Sequence, residues 1–420
     1  MKRKILLIVV SILLTINIIP LYACTSVIIS GRISKDGRPV MLKHRDTDEM
    51  DNRVKYFKGP KYTFIALVNS HTKGGEVWTG TNSAGFSIMN TASYNIKDDN
   101  VPDDQMDQEG VVMYKALGKC ASTSDFESLL DTLPKPLGVE ANFGIIDAQG
   151  NAAYYEVNNY SWKKYDVNDP NVAPNGYRVV TNFCESGRAE DRKGIERYYT
   201  ACDIFKELIS SKGKTDIGHD DLFNYVSRSY RHSLLGVDYV KNYDGMIKSG
   251  YFNGTAVDQD FIPRKITTAS IVIEGVSKGE NPLHTIMWTI LGYPACSVAI
   301  PLFVGDGDHI PSYMKKSSSS KHSQICDYAL QIKSKYVFTR SVSNGSKYVD
   351  LAAIIKGENG RPSLISCCKK TEKSIDNEFN ALYYQWIKGI ITDNDFYTRY
   401  DNMNSDFLKD YLSNFSNFIQ

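Results

Sequence analysis

The sequence lacks an excess of charge of either sign. Its 420 residues include 49 Lys and Arg against 48 Asp and Glu, a formal net charge of +1. A nearly neutral chain presents no broad positive field, so the composition argues against nucleic acid as a partner. The sequence also lacks the His-Glu-x-x-His, phosphate-loop and Cys-x-x-Cys motifs. It therefore predicts neither a metal nor a cofactor.

Long apolar runs are absent too, except near the beginning of the chain. Residues 5–21 are almost wholly apolar, follow three basic residues and end beside Tyr22 and Ala23. This order of a basic, an apolar and a small-residue region is typical of a secretory signal peptide. The sequence therefore predicts cleavage after Ala23, export to the periplasm or the extracellular space, and a mature chain without a transmembrane span.

Cleavage after Ala23 would make Cys24 the first residue of the mature protein. A thiol and a free α-amine would then belong to one residue. The amine, with an ordinary pKa of about 7.7–8.0, could act as the base for that thiol. The same junction, Leu21-Tyr22-Ala23-Cys24, also resembles a bacterial lipobox. In that alternative, lipid on the Cys24 sulfur would anchor the protein and no nucleophile would remain.

The first half of the mature chain shows closely spaced strand patterns. Thr25–Ser30 and Pro39–His44 flank a turn at Asp36-Gly37, which predicts an opening hairpin. Further strands alternate with paired helices, predicted at about 108–119, 123–132, 190–210 and 219–230. This pattern indicates an α+β fold in which helices pack against stacked sheets. After about residue 370 the pattern becomes helical and rich in aromatic residues.

A polar cluster closes the second predicted strand, at Arg45-Asp46-Thr47-Asp48. In a hairpin that opens at Cys24, the end of the second strand returns to the cysteine. An arginine there can hold a carboxylate or the thiolate, and an aspartate can bind and orient the α-ammonium. The sequence therefore predicts catalytic roles for Arg45 and Asp48 beside Cys24.

Three later segments place polar residues near strands. Asn82–Asn90 combines an Asn-x-x-Gly turn with a strand that ends in Asn90, and Val179–Asn182 is a short strand that ends in Asn182. Arg264 precedes a third predicted strand, Thr267–Gly275. Taken alone, either asparagine could equally be a turn or strand-end residue that bonds its own backbone.

Together with the Cys24-Thr25 start and the Asp36-Gly37 turn, these segments resemble the choloylglycine hydrolase and penicillin acylase group. They are also similar to the neighbouring acyl-coenzyme A:penicillin acyltransferase-like group. The resemblance covers about residues 24–305. All of these proteins belong to the N-terminal-nucleophile hydrolase superfamily, so the resemblance implies a four-layer αββα fold and cleavage of linear amide C–N bonds.

The resemblance also implies roles for individual residues. Cys24 would be the nucleophile, with its own α-amine as base. Asn90 and Asn182 would stabilise the oxyanion, and Arg264 would be a second active-site arginine. Two departures argue against a bile-salt substrate: Asp46 stands where bile-salt hydrolases usually have asparagine, and the gap of 21 residues from Cys24 to Arg45 is longer than in that branch.

The predicted organisation is a signal peptide at 1–23, a catalytic domain at 24–370 and a helical C-terminal extension at 371–420. The predicted function is an exported cysteine hydrolase of linear amides that acts on a small-molecule substrate. Three alternatives stay open: an acyltransferase with the same nucleophile, a cysteine dipeptidase, and a lipid-anchored surface binding protein. The patterns predict neither the substrate's identity nor the oligomeric state.

Overall fold

The computed structural model describes residues 23–212, 216–250, 252–305, 307–317 and 322–419. The predicted signal peptide lies outside these residues, apart from Ala23. Within the described ranges, no helix combines the length and the apolar character that a membrane crossing requires.

Strands and helices alternate along the described chain. The strands are β1 (Ala23–Ile29), β2 (Val40–Asp46), β3 (Asn52–Lys58), β4 (Thr63–Asn69), β5 (Thr79–Asn82), β6 (Ser87–Ala92), β7 (Ala141–Ile146), β8 (Ala152–Val157), β9 (Trp162–Asp166), β10 (Tyr177–Val180), β11 (Arg231–His232), β12 (Val237–Asp238), β13 (Thr255–Val257), β14 (Thr267–Glu274), β15 (Ile286–Leu291), β16 (Ile300–Leu302) and β17 (Tyr348–Asp350). The α-helices are α1 (Glu109–Lys119), α2 (Thr123–Thr132), α3 (Ile195–Lys212), α4 (His219–Asp221), α5 (Tyr239–Lys248), α6 (Gln324–Ile332), α7 (Leu351–Ile355), α8 (Leu364–Ile387), α9 (Asp393–Asn414) and α10 (Ser416–Ile419).

Most of the strands form two antiparallel sheets that pack face to face. The first sheet has the order β10-β1-β2-β14-β15-β16, and the second runs from β3 to β9 in chain order. Buried side chains of both sheets meet in one hydrophobic core, among them Ile28 and Met41 of the first sheet and Ile65 and Met89 of the second.

Helices cover the outer face of each sheet. On the second sheet, α1 and α2 bury Leu117 and Phe126 in a second hydrophobic core, which the helices share with that sheet. On the first sheet, α3, α8 and α9 contribute Phe205, Phe379 and Phe407 to the main core. The order of layers is helix, sheet, sheet, helix, which confirms the predicted α+β class and its αββα layering.

The predicted opening hairpin is confirmed, and it sets the position of Cys24. In the β1–β2 register Cys24 lies opposite Arg45 and Ser26 lies opposite Lys43. Gly37 in the connecting turn has a φ of +73°, which favours glycine. Every residue of β1 and β2 is buried, because the second sheet covers one face of the hairpin and the helix layer covers the other.

Alternation along β1 separates two environments. The Ser26 hydroxyl lies 2.8 Å from that of Thr91 and accepts a hydrogen bond from the Tyr154 hydroxyl, both on the second sheet. The Thr25 hydroxyl instead accepts from Arg197 of α3. Since successive side chains point to opposite faces, Cys24 shares the face of Ser26 and points between the sheets.

Several other sequence predictions are confirmed. The helices at 108–119 and 123–132 form, and Ser122 begins the second of them in a capping box with Asp125. The helix predicted at 219–230 is short and continues as a π-helical turn that ends at Ser227. The sequence prediction omitted β3 and β9, because polar residues interrupt the apolar alternation in both.

The C-terminal helix pair is part of the main core. Trp386 of α8 stacks on Phe396 of α9 with ring centroids 3.9 Å apart, and the Tyr411 hydroxyl donates to the Cys296 backbone oxygen at 2.9 Å. The boundary predicted at residue 371 falls inside α8, which begins at Leu364.

Candidate active site

Cys24 begins the central strand pair and lies in the interior between the two sheets. The residue is only 5% exposed. Its backbone nitrogen donates to Asn182 Oδ1 at 2.9 Å, and its backbone oxygen accepts from Arg197 Nη1 at 2.5 Å. Arg197 Nη2 also donates to Asn182 Oδ1, at 2.8 Å. Two buried side chains therefore hold both backbone polar groups of Cys24.

Asn182 reaches Cys24 because it follows β10, which pairs with β1. Its Nδ2 donates to the Ala92 backbone oxygen at 2.9 Å. An amide oxygen only accepts and an amide nitrogen only donates, so these contacts turn Oδ1 towards Cys24 and Arg197. The structure thus brings Asn182 to Cys24 as an acceptor for the Cys24 nitrogen. Its role as an oxyanion donor stays a prediction.

Arg197 of α3 is a site residue that the sequence prediction missed. Besides its bonds to Cys24 and Asn182, its Nη1 donates to the Thr25 hydroxyl at 3.0 Å. Burial, reinforced by the charge of Arg264, lowers the pKa of Arg197 to about 10. The guanidinium is still protonated at neutral pH, so it adds a fixed positive charge behind the cysteine.

Arg45 lies across the hairpin from Cys24, as predicted. Its Nη1 donates to Asn52 Oδ1 at 2.5 Å and its Nη2 donates to Asn69 Oδ1 at 2.9 Å. Its guanidinium carbon lies 4.7 Å from the centre of the Trp78 ring. Both amide acceptors are neutral, so they orient the guanidinium without cancelling its charge.

Lys43, also absent from the prediction, lies two residues before Arg45 on the same face of β2. It is 2% exposed. Its Nζ donates to the Asn90 backbone oxygen at 2.6 Å and to Asn90 Oδ1 at 2.5 Å. Burial lowers the pKa of Lys43 to about 8, and negative charge on Cys24 acts in the opposite direction. Lys43 therefore joins the first sheet to the predicted Asn90, whose register partner Phe143 places the Asn90 side chain on the helix-facing side of the second sheet.

Arg264 lies on the opposite face of the first sheet. Its Nε donates to Asp46 Oδ2 at 2.8 Å, and the Thr267 hydroxyl donates to Asp46 Oδ1 at 2.7 Å. Its Nη1 bonds Asp260 at 2.8 Å. Alternation along β2 explains this placement, because neighbouring residues Arg45 and Asp46 point to opposite faces. Arg264 therefore supports the site from behind, through the buried Asp46.

His44 shares the face of Asp46 and points away from the Cys24 side chain. Its Nε2 lies 3.2 Å from the Thr267 hydroxyl. Burial, only partly offset by the charge of Asp46, lowers the pKa of His44 to about 4. The imidazole is therefore neutral at physiological pH.

Asp48 lies beyond the end of β2 and is exposed. Its Oδ1 accepts a hydrogen bond from the neighbouring Thr47 hydroxyl at 3.3 Å. Within the described part of the chain, no hydrogen bond or ion pair joins it to Cys24. The structure buries Asp46 instead, and the proposed contact of Asp48 with the α-ammonium stays a prediction.

A cavity of about 300 Å³ lies beside this group, at the edge strand β10 of the first sheet. Phe183, which follows Asn182, and Tyr154, which bonds Ser26, are in its wall. Cys24 is not among its lining residues. Four more tyrosines line it: Tyr165, Tyr177, Tyr198 and Tyr199. An aromatic space thus lies beside β10, at the edge of the first sheet.

One group in the described residues has the composition of a metal site, namely Asp51, His322 and Asp327. All three are partly exposed, and His322 Nδ1 already lies 3.2 Å from Asp327 Oδ1. That distance is explained by an ordinary ion pair or hydrogen bond. The predicted absence of a metal stays a prediction.

The two missed residues differ in the signal that could have revealed them. Lys43 precedes Arg45 by two positions, so alternation in the predicted strand places both on one face. Arg197 carries no comparable signal, because one arginine near the start of a predicted helix is usually a solvated residue.

No family model and no curated protein matches this chain. Among solved structures, it is similar to a Caenorhabditis elegans N-acylethanolamine-hydrolyzing acid amidase ortholog, with 16% sequence identity and a TM-score of 0.39 over 60% of this chain and 92% of that chain. It is also similar to a mutant conjugated bile acid hydrolase from Clostridium perfringens, with 11% identity and a TM-score of 0.36 over 64% of this chain and 89% of that chain. A third similar structure is penicillin V acylase from Agrobacterium tumefaciens, with 14% sequence identity and a TM-score of 0.35 over 66% of this chain and 86% of that chain. Because these identities and TM-scores are low, the similarities assign no activity to this chain.

Proposed function

We propose that this protein is an exported hydrolase of linear amide C–N bonds whose nucleophile is an N-terminal Cys24. One observation carries the proposal. The Cys24 nitrogen bonds a buried asparagine, Asn182, in an interior that also holds two buried cations, Lys43 and Arg45. Cleavage after Ala23 would turn that nitrogen into an amine in a position where an acceptor already holds it.

The first half of the reaction forms an acyl-cysteine. The Cys24 amine takes the thiol proton, and the sulfur attacks the substrate's carbonyl carbon. Negative charge then develops on the carbonyl oxygen. When the tetrahedral intermediate collapses, the C–N bond breaks and the ammonium returns its proton to the leaving amine.

The second half of the reaction is hydrolysis of the thioester. The Cys24 amine removes a proton from water, and the hydroxyl oxygen attacks the acyl carbon. Collapse releases the acid and returns the proton to the sulfur. No other reactant is required, and Asn182 Oδ1 is suited to hold the amine through both halves.

Electrostatics in this interior favour the intermediate. Lys43 and Arg45 are cationic, and both are at most 3% exposed. Fixed positive charge in a site that excludes water stabilises a developing oxyanion more than water would. Asn90, through its side chain or its backbone N–H, is the proposed direct donor, and one such donor is worth about 3 kcal/mol.

The first experiment is an intact-mass measurement on protein purified after export. We expect a chain that begins at Cys24 and carries no added mass. The same sample is then incubated with bile-acid conjugates, penicillin-type amides, fatty acyl amides and dipeptides. Hydrolysis in at least one class is expected, and a mature chain that begins elsewhere would remove the basis of the proposal.

Three alternatives have distinct outcomes in this experiment. Diacylglycerol and acyl mass on Cys24 would indicate a lipid-anchored binding protein. Product that joins the acyl group to an added amine faster than to water would indicate an acyltransferase. Turnover confined to dipeptides would indicate a cysteine dipeptidase.

A further inference from the structure

Helix α6 contacts the loop that joins the two sheets. The loop spans residues 47–51, between β2 of the first sheet and β3 of the second. The Cys326 sulfur of α6 accepts a hydrogen bond from the Asn52 backbone nitrogen at 3.5 Å, and its S–H group donates to the Met50 backbone oxygen at 3.7 Å. One side chain from the C-terminal half of the protein therefore bonds both the loop and the first residue of β3.

Burial makes the Cys326 thiol suited to both of these hydrogen bonds. The residue is fully buried, and burial raises the pKa of its thiol to about 12. The thiol is therefore protonated at physiological pH, so its S–H bond can donate while its sulfur accepts. Because a protonated thiol is a poor nucleophile, Cys326 does not compete with Cys24 for that role.

The contacts of the Asn52 side chain fix the direction of its carboxamide. Its Nδ2 donates to the backbone oxygens of Glu49 and Met50, at 3.3 and 3.0 Å. Its Oδ1 accepts from Arg45 Nη1 at 2.5 Å. An amide nitrogen only donates and an amide oxygen only accepts, so a carboxamide turned over would lose all three bonds. The loop therefore directs Asn52 Oδ1 towards Arg45.

Arg45 is the residue of the proposed site to which these contacts lead. It lies opposite Cys24 in the β1–β2 register, so the two side chains share one face of the first sheet. Its Nη2 donates to Asn69 Oδ1 at 2.9 Å, and Asn69 lies opposite Asn52 in the β3–β4 register. Two neighbouring asparagines thus bond the two terminal nitrogens of the guanidinium, so a shift of Asn52 would turn it.

We infer that Cys326 is a positioning residue that fixes Asn52 and, through it, the Arg45 guanidinium, an inference that rests on the proposed function. Cys326 itself contacts no substrate and transfers no proton. Its contribution to catalysis passes through Arg45. A thiol that only helped α6 to pack would affect stability, and any effect of its removal on kcat would be the same with and without Arg45.

The test is a double-mutant cycle in the mature protein, with Cys326→Val, Arg45→Met and the double variant. Valine has nearly the shape of cysteine but neither donates nor accepts a hydrogen bond. We expect Cys326→Val to lower kcat roughly tenfold, because a small displacement of a group in the site has an effect of this size, with KM changed less than about threefold. In the Arg45→Met background the same change should lower kcat less than about twofold, since the group that Cys326 positions is gone.

A conservative variant and a matched control complete the experiment. Cys326→Ser should recover most of the lost kcat, because a hydroxyl both donates and accepts. Cys368→Val is the control. Cys368 is also fully buried, burial raises the pKa of its thiol to about 12 as well, and the thiol donates to the Ser297 backbone oxygen at 3.3 Å. We expect kcat of Cys368→Val to stay within about twofold of the parent.

Four outcomes would overturn the inference. They are parental kcat in folded Cys326→Val, no recovery in Cys326→Ser, an equal loss in Cys368→Val, and a loss from Cys326→Val that is the same with and without Arg45. If Cys326→Val does not fold, Cys326→Ala takes its place, because alanine also lacks the thiol.

Crystal structures test the positioning by themselves. They are needed if Arg45→Met does not fold, or if the parent hydrolyses no substrate in the panel, in which case the proposed function fails. The structures compared are those of the parent and the Cys326 variant. A displaced Arg45 guanidinium in the variant supports the inference, and an unchanged one refutes it.

Discussion

Arg197 Nη1 donates a hydrogen bond to the backbone oxygen of Cys24, although 173 positions separate the two residues. The same guanidinium bonds Asn182 Oδ1, which accepts from the Cys24 nitrogen. The three residues close a ring around the backbone of Cys24. The position of the Cys24 backbone nitrogen therefore depends on a helix of the outer layer as well as on the hairpin.

The first prediction concerns this ring. Arg197→Lys keeps a positive charge but loses the planar fork that reaches Cys24, Thr25 and Asn182 together. We expect kcat to fall roughly 10- to 100-fold, because a small displacement of reacting groups has an effect of this size. Steady-state kinetics with the best substrate measures this fall in kcat. Arg231→Lys, which changes an arginine paired with the exposed Glu207, is the control and should keep parental activity.

The second prediction concerns Cys24, the proposed nucleophile. Cys24→Ala should abolish turnover and leave the fold intact, as measured by product formation and by circular dichroism. Iodoacetamide should inactivate the parent through a single label on Cys24. Cys120→Ala is the matched control, because burial raises the pKa of the Cys120 thiol to about 12 and keeps it unreactive. Unchanged turnover in folded Cys24→Ala would refute the proposed function.

The third prediction concerns the charge of Arg45. Asn69→Asp has nearly the same shape but places a carboxylate 2.9 Å from Arg45 Nη2. The new ion pair would neutralise the guanidinium, so we expect kcat to fall roughly tenfold, about 1.4 kcal/mol. Asn158→Asp makes the same change in a surface turn and should have no effect. Equal kcat in the Asn69 and Asn158 variants would show that the charge of Arg45 does not assist catalysis.

The fourth prediction concerns stability against pH. His219 lies 2.9 Å from Glu274 and 3.3 Å from Asp376. Burial opposes protonation, but the charges of Glu274 and Asp376 raise the pKa of His219 to about 10. Burial likewise opposes ionisation of Glu274, and the charge of His219 lowers the pKa of Glu274 to about 2.

The direction of the effect follows from these shifts. The raised pKa of His219 stabilises the fold fully below about pH 6.5, and this contribution is lost as the pH rises towards 10. The lowered pKa of Glu274 stabilises it above about pH 4.5, and this contribution is lost as the pH falls towards 2. Denaturant unfolding from pH 5 to 8 should therefore show stability falling by up to about 1.4 kcal/mol per pH unit above 6.5. Above pH 8 the lowered pKa values of Lys43 and Lys333 act in the opposite direction. His219→Gln should flatten that slope, and an identical slope in the variant would contradict the assignment.

The fifth prediction concerns the C-terminal helices. Phe379 of α8 is fully buried in the main core. Phe379→Ala should lower the free energy of unfolding by about 3–5 kcal/mol, because it removes a large buried side chain and leaves a cavity. Tyr384 on the same helix is 56% exposed, and Tyr384→Ala should change stability by less than about 0.5 kcal/mol. Similar values for the two variants would show that α8 is only loosely attached.

Local patterns were sufficient to predict much of the fold. The hairpin that opens at Cys24 follows from two strand patterns around a glycine turn, and the helices at 108–119 and 123–132 follow from apolar spacing and a cap at Ser122. The same reasoning placed Arg45 opposite Cys24. It did not predict β9, a mostly polar strand that lies at the edge of the second sheet and buries little side-chain surface.

The sequence by itself determined the nearly neutral composition, the strand pair that begins at Cys24 and the candidate asparagines near the ends of two later strands. Only the tertiary structure decided that Arg197 bonds the backbone of Cys24 and that Lys43 bonds Asn90. It also decided that Arg264 binds Asp46, whereas Asp48 stays at the surface. The reason is physical. Strand alternation and turns are set by neighbours in the chain, whereas the partner of a buried polar group is set by which distant elements the packing of the sheets and helices brings within hydrogen-bond distance.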